Sequence, residues 1–174
     1  YIKNPDAIIL PGVGAFREAM KSLKKLRLID PLKEVVLDSK KPLLGICLGM
    51  QLLASKSEEN GKYEGLSFIP GTVKKIPQKK NIRLPHIGWN EIELQNKSQV
   101  FNGIKNRDSF YFVHSYRFEC EQEYILATTN YGGNIVASVQ SKNIFGNTIS
   151  KLCDVINNLN TFKTFNDSFY NIKI

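Results

Sequence analysis

Histidine is scarce in this chain, and so are cysteine, methionine and tryptophan. The 174 residues include two histidines, three cysteines, two methionines and one tryptophan. The cysteines are odd in number and lack the paired spacing of a metal site, so they favour a reducing compartment, the cytoplasm, over a disulfide framework. We therefore expect neither a metal nor a cofactor in this protein.

Long apolar runs are also missing. No stretch approaches the roughly 20 apolar residues that a membrane span needs, and no secretory signal is visible. We expect a soluble chain with no membrane partner. The first residue is Tyr1 rather than Met, and a strand-like run at 7–10 follows almost at once. This start predicts that further residues precede Tyr1.

The net charge of +8 raises the question of a nucleic-acid partner. The lysines occur in scattered pairs, and no basic stripe is interleaved with aromatic residues, as a nucleic-acid surface requires. We interpret the lysines as solvated surface residues and expect no nucleic-acid partner.

The stretch at 42–53, PLLGICLGMQLL, combines an apolar strand, a cysteine and a helix. Cys47 falls at the junction between Gly45 and Gly49, a Gly-x-Cys-x-Gly pattern typical of a nucleophile elbow. The helix N-terminus would favour the thiolate, and the Leu48 N–H would stabilise an oxyanion on an attacked carbonyl. The alternative is an ordinary buried core cysteine.

A second glycine-rich segment, PGVG at 11–14, lies between the apolar run 7–10 and a helix predicted over 15–26. Its glycines would let the backbone approach a ligand closely. A tight turn without a ligand is an equally good interpretation. The next helix is predicted to begin with Asp30 as N-cap and Pro31 as first residue.

The rest of the chain is rich in predicted strands. They lie at 66–69, 72–76, 91–94, 109–113, 124–129, 135–139 and 143–146. An early βαβα pattern followed by strands indicates one α/β domain with a mixed central sheet flanked by helices.

Taken in order, six segments resemble the glutaminase subunit of imidazole glycerol phosphate synthase, a class I (triad-type) glutamine amidotransferase. They are 10–16, 45–51, 57–59, 70–71, 85–90 and 111–116. The resemblance covers roughly residues 5–146. It implies a class I glutamine amidotransferase-like fold that lacks the family's first β-α-β segment.

The resemblance also implies a reaction and a partner. The family hydrolyses glutamine to glutamate and ammonia, and passes the ammonia to a (β/α)₈ cyclase subunit in a heterodimer. The cyclase makes imidazole glycerol phosphate and an aminoimidazole carboxamide ribotide, in histidine biosynthesis. Two alternatives stay open: an ammonia supplier to a sugar amidotransferase of a surface-polysaccharide pathway, and an inactive subunit that only binds its partner.

Site residues follow from the matching positions. The resemblance makes Cys47 the nucleophile and places the oxyanion hole at the backbone of Leu48 and Val13. The implied glutamine-binding positions are Gly12, Gly14, Gln51, Glu59, Ser115 and Tyr116. Two further positions, Trp89 and Tyr111, match the ammonia exit that faces the partner. Neither His86 nor His114 matches the family's catalytic histidine, so we interpret both as structural.

The resemblance ends after residue 146. The family places its catalytic base and orienting acid in a Gln-Phe-His-Pro-Glu motif here, but no histidine follows His114 and no glutamate follows Glu123. We divide the chain into an amidotransferase domain at 1–146 and a divergent tail at 147–174. The tail is either a genuine helical variant or, as we prefer, the product of a shifted reading frame or fragmentary gene. The sequence therefore predicts impaired catalysis.

Overall fold

The computed structural model describes residues 5–80 and 82–148. The helices are α1 (Phe16–Lys25), α2 (Ile29–Lys33), which continues as a π-helical turn over Glu34–Asp38, and α3 (Leu48–Leu52). The strands are β1 (Ile8–Gly12), β2 (Leu43–Cys47), β3 (Lys56–Ser57), β4 (Tyr63–Glu64), β5 (Thr72–Lys75), β6 (His86–Leu94), β7 (Ser109–His114), β8 (Tyr116–Glu119), β9 (Ile125–Asn130), β10 (Asn134–Ser141) and β11 (Ile144–Asn147).

Within the described residues the strands form two sheets. The larger has seven strands in the order β1-β2-β11-β10-β9-β6-β7, and the smaller has four in the order β4-β3-β5-β8. In the larger sheet β2 pairs in parallel with both β1 and β11, whereas the remaining pairs are antiparallel. The predicted mixed sheet is therefore confirmed, and β2 lies inside the sheet, between its two parallel neighbours.

Both faces of the parallel strands are covered. In β1, Ile8 and Leu10 pack into one apolar cluster with the inner faces of α1 and α3, while Ile9 packs into a second cluster with Phe110 and Phe112 of β7. Such two-sided burial explains why β1 and β2 read as continuous apolar runs instead of alternating ones. The ends of β1 and β2 are thereby fixed from both sides.

Two predictions about local structure were wrong. Helix α2 begins at Ile29 with Leu28 before it, so Asp30 is not an N-cap. It lies in the first turn, where its negative charge still interacts favourably with the helix dipole.

The apolar run at 66–69 is not a strand. Its backbone N–H groups bond to carbonyls at the end of α3, as in Leu66 N–H to Leu52 O at 2.9 Å. Burial against a helix end and burial in a sheet look alike in sequence.

The predicted tail lies outside the described residues, apart from its first two residues. Asn147 ends β11, and the Thr148 N–H donates to the Ala137 carbonyl at 2.9 Å. Across 5–80 and 82–148, no helix has the length and apolar character needed to cross a bilayer.

Candidate active site

The turn from β2 into α3 has the geometry of a nucleophile elbow. Cys47 adopts φ 54° and ψ −113°, a backbone conformation that residues other than glycine rarely adopt. A Cβ on Gly49 would lie 1.7 Å from the Leu10 carbonyl oxygen, and one on Gly45 would lie 2.7 Å from the Gly49 oxygen. Both glycines are therefore needed to bring α3 against β1 with Cys47 at the bend.

Cys47 opens into a cavity of about 420 Å³. The cavity is lined by residues from five separate stretches of the chain. Its lining residues are Val13, Gly14, Cys47, Leu48, Gln51, Glu59, Pro85, Val113, His114, Ser115 and Tyr116. The structure thus brings together nearly all the residues that the sequence assigned to the nucleophile, the oxyanion hole and the glutamine-binding positions. Gly12 lies just outside, where it pairs with Cys47 in the β1–β2 ladder.

Burial, rather than the helix, dominates the ionisation of Cys47. Desolvation raises the pKa of the thiol above its ordinary value, and the Leu48 N–H lowers it by a smaller amount. The start of the helix does lower the pKa of the thiol, as expected, but burial has the larger and opposite effect. Helix α3 has only five residues, and one N–H does not compensate for the solvation that a buried thiolate loses.

The loop after β1 forms the rim of the cavity. Val13 is 83% exposed, and Gly14 has φ +105° with open space where a Cβ would stand. Gly12 on β1 is close-packed instead, since a Cβ there would lie 3.1 Å from the Leu48 Cβ. The loop therefore brings backbone N–H groups close to the start of α3 with little side-chain bulk in the way.

Two polar side chains, Gln51 and Glu59, line the cavity. Gln51 is buried on α3, and Glu59 follows β3 as the acidic residue of the cavity. The pKa of the Tyr116 phenol is raised first by burial and then by the negative charge of Glu59, and Glu59, Ser115 and Tyr116 line the same cavity. A carboxylate beside exposed backbone groups can bind the charged amino and carboxyl ends of an amino acid.

His114 lines the cavity, but both its ring nitrogens are occupied. Its Nδ1 lies 2.9 Å from the Tyr116 carbonyl oxygen, and its Nε2 lies 3.1 Å from Nδ1 of His86. His86 is stacked between Tyr131, with ring centroids 3.7 Å apart, and Phe112, at 4.8 Å. Both ring nitrogens of His114 are therefore occupied, and His86 does not line the cavity of Cys47, so a structural role stays our prediction for both.

Sequence reasoning missed the wall formed by Pro85 and Val113. These residues flank the two histidines, and the register of β6 and β7 places His86 opposite His114. The sequence shows both motifs, at 85–90 and 111–116. Only the antiparallel pairing of β6 with β7 shows that the end of this strand pair carrying Pro85 and Val113 forms a wall of the cavity.

Trp89 and Tyr111 do not line the cavity. They are cross-strand partners on β6 and β7, with their rings edge to face and their centroids 5.8 Å apart. Trp89 is 65% exposed, and the neighbouring pair Ile87 and Val113 is exposed on the same ribbon. Since Val113 also lines the cavity, this exposed apolar surface starts at the cavity rim.

Cys47 at its elbow, the adjoining glycine-rich loop and Glu59 thus meet at one cavity, and comparison with known proteins shows the family to which the chain belongs. The chain belongs to the class-I glutamine amidotransferases, whose family model matches residues 1–147. Within that family it belongs with the HisH subunits of imidazole glycerol phosphate synthase, as the identities to individual relatives show.

Subunit HisH 1 of Campylobacter jejuni subsp. jejuni serotype O:23/36 (strain 81-176) is 49% identical over 144 residues, which are 83% of this chain and 72% of the relative. HisH 2 of Vibrio vulnificus (strain YJ016) is 48% identical over 145 residues, 83% of this chain and 68% of that one. HisH of Pelagibacter ubique (strain HTCC1062) is 45% identical over 148 residues, 83% of this chain and 71% of the relative.

Solved structures agree on the fold. A glutamine amidotransferase from Thermotoga maritima superposes with a TM-score of 0.62 at 18% identity, covering 95% of this chain and 65% of that one. The glutaminase domain of CTPS from Trypanosoma brucei has the same TM-score at 16% identity, covering 91% of this chain and 71% of that one. The predicted fold class and the predicted family are both confirmed.

Proposed function

We propose that this chain is a glutaminase subunit that acts in the cytoplasm and supplies ammonia to the (β/α)₈ cyclase of imidazole glycerol phosphate synthase, in histidine biosynthesis. The observation that carries the proposal is the meeting of Cys47, the Leu48 N–H and the Val13–Gly14 loop in one cavity. A nucleophile at an elbow beside backbone donors is the arrangement that acyl transfer requires.

In the proposed reaction the Cys47 sulfur attacks the side-chain amide carbon of glutamine. The resulting oxyanion receives hydrogen bonds from the backbone of Leu48 and Val13. The C–N bond then breaks, the nitrogen leaves with a proton as ammonia, and a thioester remains on Cys47. Water hydrolyses the thioester to glutamate and restores the thiol.

The polar groups of the cavity support glutamine as the substrate. Glu59 offers a negative charge to the α-ammonium group, and the backbone of Ser115 and Tyr116 offers hydrogen bonds to the α-carboxylate. Gln51 lies on α3, one turn after Cys47, and lines the same cavity. In this proposal the ammonia leaves towards the exposed apolar surface formed by Ile87, Trp89, Tyr111 and Val113.

A second function, partner binding without turnover, is favoured by the lack of a base. The sequence holds only His86 and His114, and both are committed to each other and to the Tyr116 carbonyl. The raised pKa of Cys47 leaves its thiol protonated at neutral pH. With no imidazole to accept that proton or to give one to the leaving ammonia, we propose that the chain as given has impaired catalysis.

One experiment separates these proposals. The chain is mixed with a purified (β/α)₈ cyclase of the histidine pathway, and both complex formation and glutamate release are measured. A second version carries, in place of residues 147–174, the corresponding segment of the Campylobacter jejuni relative. We expect both versions to bind the cyclase, and only the second to release glutamate at a substantial, cyclase-stimulated rate.

Each other outcome has a definite meaning. Rapid turnover by the unmodified chain would contradict the impaired catalysis. A second version that binds the cyclase without any turnover would leave only the partner-binding function. Failure of both versions to bind or to respond to the cyclase would rule out this partner, and a sugar amidotransferase would become the acceptor to test.

A further inference from the structure

A carboxylate of the cavity wall holds the start of α1. Glu59 Oε2 accepts a hydrogen bond from the backbone N–H of Phe16, the first residue of the helix, at an N···O distance of 2.7 Å. Ala15, which precedes the helix, makes no side-chain cap of its own. Glu59 thus supplies, from 43 positions along the chain, the acceptor and negative charge that a helix N-terminus favours.

The segment that carries Glu59 is itself firmly held. The Glu58 N–H donates to the Val73 carbonyl at 2.9 Å, and the Glu59 N–H lies 3.1 Å from Oγ of Ser57, a residue with no exposed surface. These bonds tie Glu59 to β3 and β5. A carboxylate on a segment held in this way can fix the position of a helix end, whereas a carboxylate on a mobile loop would move together with the helix.

Between Gly12 and Phe16 the chain forms the loop that carries the proposed oxyanion donor Val13. Gly12 is held by its pairing with Cys47. The loop itself packs on little, since the Val13 side chain is largely exposed and a Cβ on Gly14 would meet nothing within 4 Å. Its position therefore depends on its two ends, Gly12 on one side and Phe16 on the other.

We propose that Glu59 is a positioning residue for the oxyanion loop. Through the Phe16 N–H it sets the backbone of Val13 relative to Cys47, while the same carboxylate faces the cavity where the substrate amine binds. The proposal rests on the glutaminase function above and extends it. Loss of Glu59 should slow the covalent step as well as weaken substrate binding.

The test uses a chloroketone analogue of glutamine at pH 8.5. The Cys47 sulfur displaces chloride, so that an S–C bond forms as the C–Cl bond breaks, and the thiol proton passes to solvent. The ketone oxygen occupies the oxyanion site. The alkylation rate at several concentrations gives a half-saturating concentration, which reports binding, and a maximal rate, which reports the covalent step.

Three substitutions at Glu59 separate charge from anchoring. Glu59→Gln keeps an oxygen for the Phe16 N–H but loses the charge, and Glu59→Ala loses both. We expect each of these two variants to raise the half-saturating concentration about tenfold. Of the two, only Glu59→Ala should also lower the maximal rate, by about tenfold. Glu59→Asp keeps the charge but is one methylene shorter. It should lower the maximal rate too, and it tests the same point should the alanine variant fail to fold.

Two controls accompany these variants. Arg17→Ala removes a different contact of α1, in which the guanidinium lies 5.5 Å from the ring centroid of Tyr63 in β4, and it should leave the maximal rate unchanged. The amide resonance of Phe16 should shift in Glu59→Ala and stay close to its original position in Glu59→Gln, because only the glutamine retains an acceptor.

The possible failures are distinguishable. Equal maximal rates in the unsubstituted chain, Glu59→Ala and Glu59→Asp would overturn the positioning role and leave the glutaminase proposal intact. If the unsubstituted chain shows no saturation with the chloroketone and no protection by glutamine, the proposed function itself fails, whatever the variants do.

Discussion

Nδ1 of His86 lies 3.1 Å from Nε2 of His114 across the β6–β7 ribbon. Since a carbonyl only accepts, the Tyr116 oxygen requires the proton of His114 on Nδ1. A neutral His114 then accepts at Nε2, so His86 must donate from Nδ1. Burial lowers the pKa of both rings and so favours the neutral pair, in which each ring has one defined tautomer, and the pair contacts the Tyr116 backbone beside the cavity.

This pair should make stability depend on pH above the range where carboxylates titrate. Burial, followed by the neighbouring His114, lowers the pKa of His86 to about 4, and burial lowers that of His114. Because the unfolded chain binds protons near pH 6.5 and the folded chain does not, stability falls as the pH drops from 6.5 towards 4. We expect His86 alone to lower the free energy of unfolding by about 2 kcal/mol between pH 7.5 and 5, measured by urea denaturation.

His86→Asn tests whether His86 causes this dependence of the free energy of unfolding on pH. The asparagine amide can still donate to Nε2 of His114, but it does not titrate, so the dependence on pH should flatten while the stacking on Tyr131 is lost. Val139→Ala, a buried apolar truncation, is the matched control and should lower stability equally at every pH. An unchanged slope in His86→Asn would show that other groups cause it.

The raised pKa of Cys47 predicts how its reactivity varies with pH. The thiolate is the nucleophile, so iodoacetamide alkylation should accelerate about tenfold per pH unit from pH 7 to 9, without a plateau. Cys47→Ser supplies the background rate. In that variant Cys120 should react slowly, since burial and then the Glu121 charge raise its pKa to about 12. A plateau below pH 8 would reveal an activating base near Cys47.

Close packing at the elbow predicts a large cost for one added methyl group. Gly49→Ala would place its Cβ 1.7 Å from the Leu10 oxygen, so β1 and α3 would have to separate. We expect a loss of at least about 3 kcal/mol in the free energy of unfolding. Gly103→Ala, with φ +81° but open space, should cost about 1 kcal/mol from backbone strain alone. Similar costs at both positions, in the same urea titration, would contradict the tight approach at Gly49.

The elbow could be predicted because its determinants lie within five consecutive residues. Gly45, Cys47 and Gly49 specify a close approach and a bend locally, whatever packs around them. Similarly, the apolar runs at 7–10 and 43–46 predicted strands, because each lies within a few consecutive residues. Family resemblance supplied the rest of the site, since no spacing in the sequence alone connects Glu59 or Tyr116 with Cys47.

The contacts that span long stretches of chain could not be predicted. The Phe16–Glu59 bond joins residues 43 positions apart, and the His86–His114 pair joins residues 28 apart. The first depends on how α1 packs beside the segment after β3, and the second depends on the register of β6 and β7, and neither is encoded in a single stretch of sequence. The net pKa shift of Cys47 was missed for a related reason, because burial depends on everything packed around the thiol and the helix N-terminus is only one local contribution.

Trp89 tests the proposed partner surface. As an exposed aromatic residue beside Tyr111 and next to the cavity rim, it has the character of an interface anchor. Trp89→Ala should weaken binding to the cyclase 10- to 100-fold by calorimetry, as interface anchors do, with little change in stability because the indole is 65% exposed. Leu26→Ala, which truncates an exposed leucine after α1, should leave the affinity unchanged. If both variants bind with the affinity of the unsubstituted chain, the cyclase docks on another surface. In that case the cyclase would not cover β6 and β7, and ammonia released at Cys47 could not pass to it along these strands.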